Sequence, residues 1–155
     1  MVRLLLPFTH GIDASAITSA LALAQRLDAT LSLLSLIRLP QAASKSPGWE
    51  AIQQSRDFLE YVQHKAARLG VPVERTELYT HNATRSIRAF AQEMECAGIV
   101  LAVRREAGVL LATHEIEQLL EEKCLPVYVV SLLAGKSLFS LPHWLPRRSG
   151  KKQLT

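Results

Sequence analysis

The chain has only two cysteines, Cys96 and Cys124, with no CxxC pair and no zinc-ligand spacing to its five histidines. That excludes a disulfide scaffold and a conventional zinc site, and both thiols are expected to be small buried hydrophobes. Long hydrophobic runs are also missing. Val2 to Phe8 and Leu31 to Ile37 have strand length, far short of the ~20 residues of a membrane span. Nor does the N-terminus show a basic region, apolar segment and cleavage site in series, so the expected location is the cytoplasm. A GxSxG elbow is absent, and Ser15 and Ser19 read as polar residues on a helix face. No repeat or low-complexity segment interrupts the chain.

An excess of one charge is lacking too, despite a formal net charge of +4. Arg147, Arg148, Lys151 and Lys152 carry all of it, leaving 14 basic residues against 14 acidic ones. The folded body is therefore expected to be neutral, with a solvated basic tail, and nucleic acid is not the expected partner. Contact between that tail and an anionic partner is the sharper reading of the same charges.

What is present is ordinary globular material, 48% hydrophobic and 21% charged over 155 residues, enough for one domain with a real core. Val2 to Phe8 reads as a strand buried on both faces. Asp13 is placed to cap a helix with Ile17, Ala20, Leu21, Ala24 and Leu27 inward and Ser15, Ser19, Gln25 and Arg26 outward. Thr30 to Ile37 is a second strand, and Arg38 to Pro47 a loop of the length often found beside a ligand cleft or under an extra helix. Trp49, Ile52, Leu59, Val62, Ala66 and Leu69 recur at helical steps before Gly70 and Pro72 stop the helix. Val71 to Tyr79 is a third strand near a sheet edge, with Glu74 and Glu77 outward. Asn82 can cap a third helix with Ile87, Phe90, Ala91 and Met94 inward. Gly98 to Val103 forms a fourth strand. A fourth helix follows within Val109 to Lys123, with Ile116, Leu119 and Leu120 inward and Glu115, Glu117, Glu121 and Glu122 outward; Pro126 to Leu133 is a fifth strand.

Strands that alternate with helices need crossover connections, which place helices on both faces of a parallel sheet. The expected class is a doubly wound, Rossmann-like α/β domain over residues 1–133, followed by an irregular extension with a basic tail over 134–155. A response-regulator receiver shares this plan. It needs acidic residues after the first strand and an aspartate after the third, where this chain has Thr9-His10 and Thr80-His81.

Three stretches resemble the universal stress protein family: Leu4 to Leu34, with Asp13-Ala14-Ser15; Ala89-Phe-Ala-Gln-Glu to Ala97-Gly-Ile-Val-Leu; and Leu119-Leu120 followed by Cys124-Leu-Pro-Val-Tyr-Val-Val. Together they cover most of residues 2 to 131, in the right order. The resemblance implies a five-stranded sheet of order 3-2-1-4-5 and a homodimer paired along the last strand, where Val127, Val129 and Val130 would otherwise leave an apolar edge.

Many members bind ATP through an acidic residue after the first strand and glycines spaced G-x2-G-x9-G after the fourth. There, backbone N–H groups and a helix N-terminus cradle phosphates. This chain has Pro7-Phe8-Thr9-His10-Gly11 at the first place and Ala102-Val103-Arg104-Arg105-Glu106-Ala107-Gly108-Val-Leu-Leu-Ala112-Thr113-His114 at the second. Side chains there restrict positive φ and hold a phosphate off the backbone, and Glu115 and Glu117 repel an anion from the next helix. The expected function is that of a non-catalytic, dimeric regulatory protein with no cofactor and no metal, acting on an unidentified protein partner or small ligand. The alternative is an ATP or AMP binder, with weak ATPase activity as its extension, that uses Arg104 or Arg105 in place of the glycines. Thr9, His10, Arg104, Arg105, Thr113 and His114 are the candidate residues of one crevice at the switch point of the sheet.

Overall fold

The computed structural model describes residues 2–40, 48–122, 125–133 and 136–137. Among these described residues seven strands and four helices follow in the order β1 (Val2–Phe8), α1 (Ala14–Arg26), β2 (Ala29–Arg38), α2 (Trp49–Leu69), β3 (Val73–Thr80), α3 (Ala83–Glu93), β4 (Gly98–Arg104), β5 (Ala107–Val109), α4 (Thr113–Glu121), β6 (Val127–Leu133) and β7 (Lys136–Ser137). No helix among the described residues is long and apolar enough to cross a membrane. Cys124 and the basic tail lie outside the described residues.

Five strands are parallel, in the order β3-β2-β1-β4-β6. This is the expected doubly wound sheet with two short antiparallel strands added. β5 pairs with β4, and β7 pairs with β6 at Leu132↔Ser137 and Leu133↔Lys136. Helix ends follow their local chemistry. Asp13 Oδ1 accepts from the Ala16 N–H at 2.9 Å and Asn82 Oδ1 from the Arg85 N–H at 3.1 Å, each satisfying an orphan donor. Gly70 closes α2 at φ 71, where a Cβ would be strained.

Each face of the sheet buries a layer. α1 and α2 pack with Leu4, Leu6, Phe8, Leu31 and Leu33, and the Phe8 and Phe58 rings stack with centroids 4.1 Å apart. On the other face, buried residues of α3 and α4 pack with Leu5, Leu34, Leu36, Ile99 and Leu101. Arg3 ties three elements together below the sheet. Its Nε and Nη2 donate to Glu74 at 2.8 and 3.0 Å and its Nη1 to the Met94 carbonyl at 2.8 Å. This pairing holds the Glu74 carboxyl below the usual carboxylate range.

Several expected orientations differ. Trp49 and Leu69 are exposed because they begin and end α2, whose buried residues start at Ser55. Leu27, exposed as well, is the C-cap of α1. Ser19 is buried rather than outward. Glu74 bonds Arg3, and Glu77 accepts from the Ser55 hydroxyl at 2.6 Å, so neither acid simply faces water. Glu115, expected outward, is 3% exposed.

Candidate functional site

In an open parallel sheet the place for a ligand is the crevice beyond the C-terminal ends of the two strands where chain order reverses, here β1 and β4. β1 pairs with β2 along its whole length, from Val2↔Ala29 to Phe8↔Ser35, but with β4 only at Leu4↔Gly98 and Leu5↔Ile99. Above those two rungs the strands part. β6 occupies the far edge of β4 from Ile99 to Arg104. The antiparallel pairs Ala102↔Val109, Val103↔Gly108 and Arg104↔Ala107 must therefore lie on the edge facing β1. The chain has folded back into its own crevice.

The turn of that hairpin is Arg105-Glu106, at φ 54 and 68, the two-residue pattern of a type I′ turn, which favours Asn or Gly. Leu110 follows at φ 73, where a branched side chain is strained. Its carbonyl accepts from the Thr9 N–H at 2.8 Å and the His10 N–H at 3.3 Å. Its side chain is 3% exposed and joins the α1–α2 core, while Leu111 joins the α3–α4 core. Adjacent leucines thus plug both faces at the switch point. Gly108 serves the same packing, for a Cβ there would come within 2.5 Å of the Leu111 carbonyl oxygen. Its N–H donates to Thr113 Oγ1 at 2.8 Å.

Two carboxylates latch the hairpin. Asp13, already the cap of α1, receives Arg104 Nη1 at 2.7 Å and Nη2 at 3.3 Å. Hydrogen bonding from that guanidinium, the largest influence, holds the Asp13 carboxyl below its ordinary range and pushes Arg104 up. The Arg104 Nε is buried without a partner among the described residues. On the other side Glu115 Oε1 accepts from the Ala112 N–H at 2.8 Å and lies 3.4 Å from Thr9 Oγ1. Its Oε2 pairs with Arg38 Nη2. A buried carboxylate needs such a partner, which is why Glu115 turns inward at the start of α4.

Of the six sequence candidates, Thr9, His10 and Arg104 meet around the hairpin. The Thr9 hydroxyl lies 2.9 Å from His10 Nδ1. Arg105 is exposed on the turn, Thr113 closes the loop onto Gly108, and His114 is exposed at the start of α4. Sequence reading missed Asp13, Arg38, Leu110 and Leu111 as parts of the site. No group of three or more His, Cys, Asp or Glu among the described residues is arranged to hold a metal ion. An arginine already bound to Asp13 and N–H groups already bound to Leu110 leave the crevice poorly furnished for a phosphate, which needs those donors and close backbone approach.

The profile of the universal stress protein family matches residues 3–130. None of the curated proteins matches the sequence. Among solved structures, the chain is similar to a universal stress protein from Archaeoglobus fulgidus, with a TM-score of 0.65 and 16% identity over 83% of this chain and 98% of that one. It is also similar to the universal stress protein from Archaeoglobus fulgidus in complex with dAMP, with a TM-score of 0.62 and 15% identity over 83% and 97% of the two chains. A family member from Arabidopsis thaliana with AMP bound aligns with a TM-score of 0.57 and 14% identity over 84% and 92%. At such identities the likeness carries the fold.

Proposed function

Because the chain belongs to the universal stress protein family over residues 3–130, we propose that it is a non-catalytic, dimeric regulatory module of the cytoplasm whose ligand crevice is filled by its own β4–β5 hairpin. The observation that carries this reading is the seat of Leu110. Its carbonyl takes the Thr9 and His10 N–H groups beside β1 while its side chain is buried in the α1–α2 core. A phosphate entering there would have to displace a buried leucine and break a bidentate ion pair. Glu115 adds a negative charge at the start of α4, offset by Arg38 rather than left to a ligand.

The reading is tested by titration calorimetry with ATP, ADP and AMP. No saturable heat is expected at micromolar concentrations, where nucleotide-carrying proteins respond. The competing reading, an ATP or AMP binder with weak ATPase activity, draws its support from the relatives solved with dAMP and AMP and from the exposed Arg105. Micromolar binding that disappears in Arg105→Ala would establish it and remove the first.

Dimerisation through β6 belongs to the same proposal. β7 covers only Leu132 and Leu133 of a seven-residue strand, and Val127, Val129 and Val130 are half-buried in the monomer. Pairing two such edges would shield them. Sedimentation at roughly tens of micromolar, well above the dissociation constant of an ordinary specific dimer, should give a dimer; monomer alone would refute it.

A further inference from the structure

The sheet's two edges differ. β7 lies against part of the outer side of β6, whereas no described strand pairs with the outer side of β3. In a parallel strand, alternate residues turn both their N–H and C=O groups toward the same neighbour. The Pro72 and Thr80 carbonyls accept from the Leu31 and Leu39 N–H groups at 2.9 and 2.8 Å. Glu74, Thr76 and Leu78 therefore direct their backbone groups to β2, and Val73, Arg75, Glu77 and Tyr79 direct theirs outward, a template for another strand.

Side chains of those four residues share the sheet face that α2 covers. Val73 packs against the core there, Arg75 Nη1 donates to Gln63 Oε1, and Glu77 accepts from the Ser55 hydroxyl at 2.6 Å. Arg75, Glu77 and Tyr79 are exposed. Neither Arg75 nor Glu77 has an ion-pair partner among the described residues. Charges on an edge usually guard it against pairing. Here their order decides which pairing they oppose.

Two copies of one edge meet antiparallel about a two-fold axis. With that axis at Thr76, Arg75 of each copy stands opposite Glu77 of the other, and Val73 opposite Tyr79. Two opposite-charge pairs and two aliphatic–aromatic pairs then lie on one face, each of a kind that stabilises antiparallel strands. All outward N–H and C=O groups from Val73 to Tyr79 find partners as well. Moving the axis to Arg75 or to Glu77 sets like charges face to face, which is destabilising.

We propose that β3 pairs antiparallel with β3 of a second copy of this chain, centred on Thr76 and selected by reciprocal Arg75–Glu77 contacts. One strand pair is a small interface, so the contact is weak and joins copies at high concentration. It uses the edge opposite β6 and does not depend on pairing there.

Thr76 gives this contact a readout of its own. A non-hydrogen-bonded antiparallel pair brings its Cα atoms to about 4.5 Å, inside the roughly 4.4–6.8 Å span of a disulfide. Cys96→Ala with Cys124→Ser removes both native thiols from the full chain. In that background Thr76→Cys should form covalent dimers under mild oxidation at roughly hundreds of micromolar, where weak complexes are populated. Adding Arg75→Glu sets like charges opposite at both contacts and should slow cross-linking about tenfold, as should Glu77→Arg. Mixing these two charge variants puts opposite charges together again and should restore the rate, which also guards against a variant that fails to fold. Cross-linking indifferent to the charge changes, or slow in the mixture, would overturn the proposal. So would a Thr76→Cys thiol that stays free, whether the edge is bare or takes a strand from another protein. None of these substitutions touches β6, so the result stands apart from the sedimentation test.

Discussion

The two ends of the sheet's central pair are built differently. Around β1, α1 and β2 the strands and helix follow their own propensity, with aliphatic strands, an aspartate cap and an unbroken ladder from Val2↔Ala29 to Phe8↔Ser35, and a single non-glycine residue, Asp28, stands at positive φ. From β4 to α4 the chain accepts Arg105, Glu106 and Leu110 at positive φ and gives up most of the β1–β4 ladder. What it gains is closure, since two buried leucines and a backbone carbonyl fill the switch point. Strain of this kind survives only where the surroundings over-determine it. Here the Asp13–Arg104 and Glu115–Arg38 pairs supply that determination.

The largest expected effects set a leucine from each region side by side. Leu33→Ala and Leu110→Ala should each cost about 2–5 kcal/mol in urea unfolding, because both side chains are fully buried. Glycine should then separate them. In β2 a glycine is worse than alanine by about 0.5–1 kcal/mol, whereas at φ 73 it relieves strain, so Leu110→Gly should be no worse than Leu110→Ala. Equal penalties for glycine at both positions would remove the claim of strain. Gly108→Ala comes next, at about 1–3 kcal/mol, since its Cβ has no room against Leu111.

Breaking a latch should cost less. Arg104→Ala should lose about 1–2 kcal/mol, because charge-assisted bonds in a partly exposed pair are discounted by solvent. The linked pH dependence has a definite sign. Asp13 titrates lower folded than unfolded, so its contribution is present above about pH 4, the unfolded value, and is lost as pH falls through the folded one. Asp13→Asn should flatten the acid limb of the stability profile, and an unchanged limb would argue against the pair. The smallest effect is a gain. Arg105→Asn with Glu106→Gly matches the turn's preferred residues and should stabilise by up to about 1 kcal/mol.

The five parallel strands, four helices and two side-chain caps were legible because each depends on local pattern: aliphatic runs, 3.6-residue periodicity, Asp13 and Asn82 ahead of helices. The hairpin was not. Ala107-Gly108-Val109 is too short to announce a strand, and its turn lacks the Asn-Gly signature that would mark it. Glu115 looked like a surface charge because its partner, Arg38, is supplied by a distant strand end, and Arg104, read as a crevice residue, gave no sign of Asp13, the helix cap that only the fold brings to it. Trp49 misled in the opposite sense, keeping helical step with the core residues while standing beyond them.

Amide signals of Thr9, His10 and Gly108 followed by NMR during a titration with AMP test the self-filled crevice most directly. The account predicts that the three amides stay protected from exchange and unshifted into the millimolar range. Saturable shifts at all three, with Thr9 and His10 losing the protection that the Leu110 carbonyl gives them, would contradict it.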